Sequence, residues 1–181
     1  MKSASELATV IGQCLEQCGY REVSEGRGNG VELHTVLSTP RETHPRLMCV
    51  VAEIPPSAHS ARDGLRFMDS IRRSLAKQHK GFPWPKRMGT YAVLVGEHDL
   101  CEAIRGREGS FVDTSGLHVN VLLGTIFVDK KTFRARGDNV FGLIDAGDHF
   151  ARIQRAVDEW SRAARRASGT FVTNGRALSV A

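Results

Sequence analysis

Apolar residues recur at helical spacing in three segments of the chain, which predicts three amphipathic helices. The first is expected over residues 4–18, because Ser3 and Glu6 form a capping-box pattern at its start. The second is expected over 57–80 and the third over 148–167. Each of these helices has one apolar side, so each is expected to pack against a common core.

Runs of β-branched and other apolar residues predict strands between the helices. The run 46–54, ended by Pro55-Pro56, and the run 90–96 are apolar at successive positions, so both strands are expected at the centre of a sheet. The glycine-rich stretch 26–30 lies between two strand-like segments and predicts a hairpin. The remaining expectations are a short helix over 97–105, a loop over 106–116, strands within 117–133 and over 140–144, and a turn over 134–139.

The order of these elements predicts a single α+β or α/β domain over residues 1–167. Its centre is expected to be a mixed β-sheet of about five or six strands flanked by three helices. Residues 168–181 are expected to form a C-terminal tail or a short hairpin around Asn174-Gly175. A chain of 181 residues is long enough for one such domain with its own core.

The composition predicts a soluble cytoplasmic protein without a membrane partner. The chain has no apolar run near the roughly 20 residues that a spanning helix needs, and no signal-peptide pattern at its start. None of its cysteines forms a C-x-x-C pair, so all are expected to be reduced core thiols. They are Cys14, Cys18, Cys49 and Cys101.

Positive charge is concentrated on one side of the second predicted helix. The chain has a net charge of +5, mostly from arginine, and this helix carries five basic residues and only Asp69 within a narrow arc. A loop with Trp84 extends the arc. The basic residues of this surface are Arg62, Arg66, Arg73, Lys77, Lys80, Lys86 and Arg87. The last helix also carries arginines opposite its apolar stripe, accompanied by Asp158 and Glu159: Arg152, Arg155, Arg162 and Arg166.

The basic stripe leads to a first functional hypothesis, a binding module without enzymatic activity or cofactor. Its partner would be DNA, RNA or an acidic protein surface, with Trp84 available to stack on a base. The structural alternative is a solvated helix face, since a net charge of this size is also common in proteins that bind no nucleic acid.

Two carboxylates and a Gly-Tyr dipeptide give a second hypothesis. The stretch Cys18-Gly-Tyr20, followed by Glu32 and then by Glu53 at the end of a strand, resembles the restriction-endonuclease-like PD-(D/E)xK group. This resemblance implies a divergent nuclease in which Glu32 and Glu53 hold Mg²⁺. Pro55 stands where the E-x-K pattern has its lysine, which disfavours an active nuclease and leaves an inactive, DNA-contacting relative. His34, two residues from Glu32, is a further candidate metal ligand.

A third hypothesis concerns assembly. The closing helix FARIQRAVDEW, within the predicted order of helices and strands, resembles that of type III secretion chaperone-like α+β domains. This resemblance implies a structural or chaperone-like interaction protein, either a homo-oligomer or a subunit of a larger complex. The sequence leaves these three hypotheses open.

Overall fold

The computed structural model describes residues 3–23, 33–40, 46–77, 87–105, 112–113, 119–139 and 148–168. The described helices are α1 (Ala4–Glu16), α2 (Ala61–Lys77), α3 (His98–Ile104) and α4 (His149–Ala167). The described strands are β1 (Arg21–Glu22), β2 (Leu33–Ser38), β3 (Arg46–Glu53), β4 (Arg87–Gly96), β5 (Val112–Asp113), β6 (Val119–Asp129) and β7 (Ala135–Asn139). The predicted helix-flanked mixed sheet is confirmed. The short segment after β4 is the fourth helix, α3.

The strands form one sheet in the order β1-β2-β3-β4-β6-β5, and β7 also pairs with β6. The three central strands β3, β4 and β6 run parallel, whereas β2 is antiparallel to β3, and β5 and β7 are antiparallel to β6. Helix α2 connects β3 to β4, and α3 lies in the connection from β4 to β6, as parallel strands require crossovers. The predicted central position of β3 and β4 is therefore confirmed.

Each face of the sheet packs against its own pair of helices. On β3 and β4, Val51 and Val93 join the core that includes α1 and α4, whereas Val50 and Leu94 join the core that includes α2 and α3. All four side chains are fully buried. Burial on both faces explains why these strands are apolar at successive positions.

Helix α1 begins where the capping pattern predicts. The Ser3 hydroxyl accepts a hydrogen bond from the Glu6 amide at 3.3 Å, and Gly19 follows the helix with φ of +82°. The prediction that Cys14 and Cys18 are core residues is wrong in degree, because both are only half-buried at the margin beside α4. The Cys14 thiol there donates to the Arg152 carbonyl at 3.8 Å.

The other two cysteines lie in the interior, and all four are free thiols. Cys49 is buried in β3 and Cys101 in α3. Burial raises the pKa of Cys101 to about 12, with a smaller contribution from Asp129, so the protonated form of this thiol dominates at neutral pH.

The start of α2 and the segment 134–139 differ from the prediction. Helix α2 begins at Ala61 rather than at residue 57, because Ser60 caps it. The Ser60 hydroxyl accepts from the Asp63 amide at 3.2 Å and donates to the Asp63 carboxylate at 2.7 Å. The segment predicted as a turn over 134–139 contains strand β7 instead, because the free edge of β6 offers backbone partners to this polar sequence. The strand predicted over 140–144 lies outside the described residues.

None of the helices in the described ranges is both long enough and apolar enough to cross a membrane.

Candidate functional site

The basic stripe of α2 lies on the outer face of the molecule. The inner face of this helix is buried in the core through Met68, Ile71 and Leu75. The opposite face exposes its arginines: the side chains of Arg66 and Arg73 are 65% and 68% exposed, and Arg62 is exposed as well. The amphipathic pattern read from the sequence therefore corresponds to a buried side and a charged, accessible side.

A glycine sets how closely α2 packs against α3. A Cβ atom placed on Gly64 would clash with Cδ1 of Ile104 and lie 2.7 Å from its Cγ1, and Ile104 is fully buried. A side chain at this position would therefore force Ile104 to shift, whereas glycine permits the close approach. The close contact fixes the inner side of α2, and thereby holds the arginines on its outer side.

Two of the three exposed arginines have acidic partners on the same helix. Arg73 Nη2 lies 2.5 Å from Asp69 Oδ2, and Arg66 Nη1 lies 3.8 Å from Asp63 Oδ1. The hydrogen bond from the Ser60 hydroxyl lowers the pKa of Asp63, so this carboxylate stays charged at neutral pH. Arg62 has no carboxylate within ion-pair distance in the part of the chain that the structure describes. The positive potential of this face is therefore partly offset.

The remaining residues of the predicted surface are described less fully. Lys77 is the last residue of α2 and Arg87 is the first residue of β4, and only the backbone of each is described. Lys80, Trp84 and Lys86 lie outside the described residues. The described side chains that form one common surface are thus Arg62, Arg66 and Arg73.

Glu53 has the position that the sequence predicts, at the exit of a central strand. It is exposed and pairs with Val95 of β4, and the next amide, from Ile54, still donates to the Val95 carbonyl at 2.8 Å. The chain then turns, and the carbonyl of Pro55 accepts from the Ala58 amide at 2.9 Å. Glu32, its proposed partner, lies outside the described residues.

A β-bulge lies beside Glu53 on the neighbouring strand. Leu33 pairs with Ala52 and Thr35 pairs with Val51, so His34 is an extra residue in β2. The bulge shifts the alternation of side chains, so that Leu33 and Val36, three residues apart, join the same core. Beyond the bulge, the hydroxyl of Thr35 donates to the Glu22 carboxylate at 3.2 Å. Within the described ranges, no group of three His, Cys, Asp or Glu side chains is arranged to hold a metal ion.

A buried acid that the sequence reasoning missed lies at the end of β6. Asp129 is 7% exposed, and its carboxylate accepts from the Thr132 hydroxyl at 2.6 Å and from the Lys131 amide at 2.8 Å. Burial alone would raise the pKa of Asp129, but these hydrogen bonds outweigh it, and the pKa is lowered. The Asp-x-x-Thr spacing is a turn signal, and the geometry makes Asp129 a turn-forming residue.

Comparison of the chain with protein-family models, with curated proteins and with solved structures found no match.

Proposed function

We propose that the protein is a non-enzymatic module that binds nucleic acid through the outer face of α2. The observation that carries this proposal is the exposure of Arg62, Arg66 and Arg73 on one side of a helix whose other side is buried. Guanidinium groups bind phosphate oxygens in a bidentate manner, and a row of them follows a nucleic-acid backbone. In this proposal the protein acts in the cytoplasm and needs no cofactor.

The ion pairs within α2 are compatible with this proposal. Asp63 and Asp69 hold the Arg66 and Arg73 side chains along the helix, which reduces the conformational entropy lost on binding. They also lower the net positive potential of the face. We therefore expect moderate, sequence-independent affinity that depends strongly on salt.

The test is the binding of labelled duplex DNA and single-stranded RNA at about 50 and about 200 mM NaCl. The test variant combines Arg62→Gln, Arg66→Gln and Arg73→Gln, since glutamine preserves helix propensity while removing the charges. For each lost phosphate contact, the slope of log affinity against log salt is expected to fall by about 0.9 for duplex DNA.

A matched control removes the same number of charges elsewhere. Arg21, Arg134 and Arg136 are exposed outside the helices, and their combined replacement by glutamine changes the net charge equally. Loss of affinity in the α2 variant alone would support the proposal. Equal losses in both variants would indicate only a net-charge effect and would contradict it, as would tighter binding of a polyglutamate peptide than of nucleic acid.

A second candidate function, a divergent nuclease, is favoured by the exposed carboxylate of Glu53 at the end of β3 in a parallel β3–α2–β4 unit. Cleavage of plasmid DNA with Mg²⁺ or Mn²⁺ would test it, with Glu53→Gln and Glu32→Gln as the decisive variants. Activity that survives both changes would exclude this assignment.

Self-association, which the assembly hypothesis requires, is measured by size-exclusion chromatography with light-scattering detection.

A further inference from the structure

The outer face of α4 carries a second row of exposed arginines, on the opposite side of the sheet from α2. At 1.5 Å per residue, the row from residue 152 to residue 166 is about 21 Å long. The inner face of the helix is buried through Ile153, Val157 and Trp160. The exposed arginines are Arg152, Arg155, Arg162 and Arg166.

These four guanidinium groups are not neutralised within the described part of the chain, where no carboxylate lies within 4.0 Å of any of them. Of the two acids on the same helix, Asp158 accepts a hydrogen bond from Gln154 at 3.0 Å, and Glu159 is exposed. Among the described residues, the Arg162 guanidinium donates a hydrogen bond to the Asp158 backbone carbonyl alone, at 3.3 Å. This face differs in that respect from the outer face of α2.

The fifth arginine of the helix, Arg165, has a structural role instead. Arg165 is half-buried, and its Nη1 donates to the Phe133 carbonyl at 3.0 Å, which ties α4 to the turn before β7. Phe133 has a φ of +53°, so this bond stabilises an uncommon backbone conformation. Within the described ranges, none of the four exposed arginines donates to a carbonyl of another helix, strand or turn.

The first turn of α4 also differs in charge from the first turns of the other described helices. Helices α1, α2 and α3 each have an acid in the first turn, as the helix dipole favours, whereas α4 has none. Asp148, the residue before α4, makes no side-chain capping bond. Arg152 instead places a positive charge at the end of the first turn. A favourable interaction with the helix dipole therefore does not account for the positive charge of Arg152 near the start of α4.

From these observations we propose that the outer face of α4 is a second phosphate-binding surface, which contacts the backbone of a nucleic acid. Among its exposed positions, the residues between and beside the arginines include Ala151, Ala163 and Ala167, which let a backbone approach closely. Protein interfaces also use arginine, but they combine it with aromatic or large apolar anchors, which the exposed positions of α4 lack. Insertion into a membrane interface needs a free apolar face, and that of α4 is packed in the core.

Two basic faces on opposite sides of one sheet can hold two separate segments of nucleic acid. A duplex is stiff over lengths of this order, so a short duplex bound to α4 does not reach α2. The bridging of two duplexes rests on the proposed function of α2, whereas binding by α4 does not.

The experiment compares four variants with the unaltered protein. The α4 variant combines Arg152→Gln, Arg155→Gln, Arg162→Gln and Arg166→Gln. A rescue variant replaces the same four residues by lysine. The α2 variant carries the three glutamine substitutions given above, and the combined variant carries the glutamine substitutions of both helices. Circular dichroism and thermal unfolding first establish that all of them fold.

Two readouts are used: the affinity for a short labelled duplex at two salt concentrations, and energy transfer between a donor-labelled and an acceptor-labelled duplex. We expect the combined variant to bind the duplex at least tenfold more weakly than the α2 variant. The lysine variant should bind more tightly than the α4 variant, because lysine restores the positive charges. Energy transfer should appear only with the unaltered protein and the rescue variant.

The outcomes separate the two proposals. Unchanged affinity and salt dependence in the α4 variant, in either background, would overturn the proposal for α4 and leave that for α2 intact. Loss of binding in the α4 variant together with normal binding in the α2 variant would instead contradict the function proposed for α2. Preferential binding of polyglutamate or of anionic vesicles by α4 would assign this face to another class of partner and would also overturn the proposal.

Discussion

Helices α2 and α4 are alike in sequence pattern but differ in the state of their charges. Both bury one side against the central sheet and expose arginines on the other. On α2, Asp63 and Asp69 lie within ion-pair distance of Arg66 and Arg73. On α4, the four exposed arginines have no such partner in the described part of the chain.

This difference arises from the spacing of acids along each helix and from what else those acids bind. An acid three or four residues before an arginine can pair with it, as Asp69 does with Arg73. Asp158 has the same spacing to Arg162, but its carboxylate accepts from Gln154, and the arginine contacts a backbone carbonyl instead. The number of basic residues on a helix face is therefore an incomplete guide to its free charge.

The largest effect is expected from removing the aromatic residue that anchors α4. Trp160 is 4% exposed, and its ring packs edge-to-face on Phe133 with centroids 5.7 Å apart. Trp160→Ala should lower the free energy of unfolding by about 3–5 kcal/mol, as measured by urea denaturation. Trp160→Phe is the control. It should cost less, because it keeps an aromatic ring and removes an indole N–H that has no partner in the described structure. Equal costs would contradict this account of the packing.

Helix α2 is anchored in the opposite way, by the absence of a side chain. Gly64→Ala places a methyl group against Ile104, and the overpacking should cost about 1–3 kcal/mol, more than the roughly 1 kcal/mol that alanine contributes through helix propensity. Adding Ile104→Val removes the clashing Cδ1 atom and should recover part of the loss. A double-mutant cycle by urea denaturation measures this coupling. Additive effects of the two changes would show that the close contact does not limit the packing of α2.

Local sequence patterns predict some features of the two helices and of the sheet, but not others. The start of α1, the central strands and the inner sides of α2 and α4 could be predicted, because caps and hydrophobic periodicity are local. The strand β7 and the bulge at His34 could not, since both depend on pairing with a distant strand. Residue spacing alone predicts the basic stripe on α2, but whether its arginines are paired depends on rotamers that spacing does not determine.

Two buried serines extend the comparison to the inner sides of the helices. Ser161 on α4 and Ser74 on α2 are each 1% exposed. The hydroxyl of Ser161 has no hydrogen-bond partner within the described structure, whereas Ser74 has an interaction partner. Ser161→Ala should therefore raise the unfolding free energy by up to about 1 kcal/mol, and Ser74→Ala should lower it by a similar amount. Thermal and urea unfolding measure both changes, and a loss of stability in Ser161→Ala would point to a partner for this hydroxyl.

The smallest effect tests the difference in ion pairing directly. Arg73→Gln removes a pair in which the acid precedes the arginine by four residues, and should cost about 0.3–0.5 kcal/mol at low salt. Arg155→Gln removes no pair and should cost less than this, although Glu159 follows it at the same spacing. Repeating the urea titrations at about 1 M NaCl should erase the cost of Arg73→Gln, because added ions screen an exposed pair. If Arg155→Gln showed the same cost and the same sensitivity to salt, Arg155 would pair with Glu159 in solution, and the positive charge of α4 would be partly offset, as that of α2 is. The proposed phosphate surface on α4 would then have one unpaired arginine fewer.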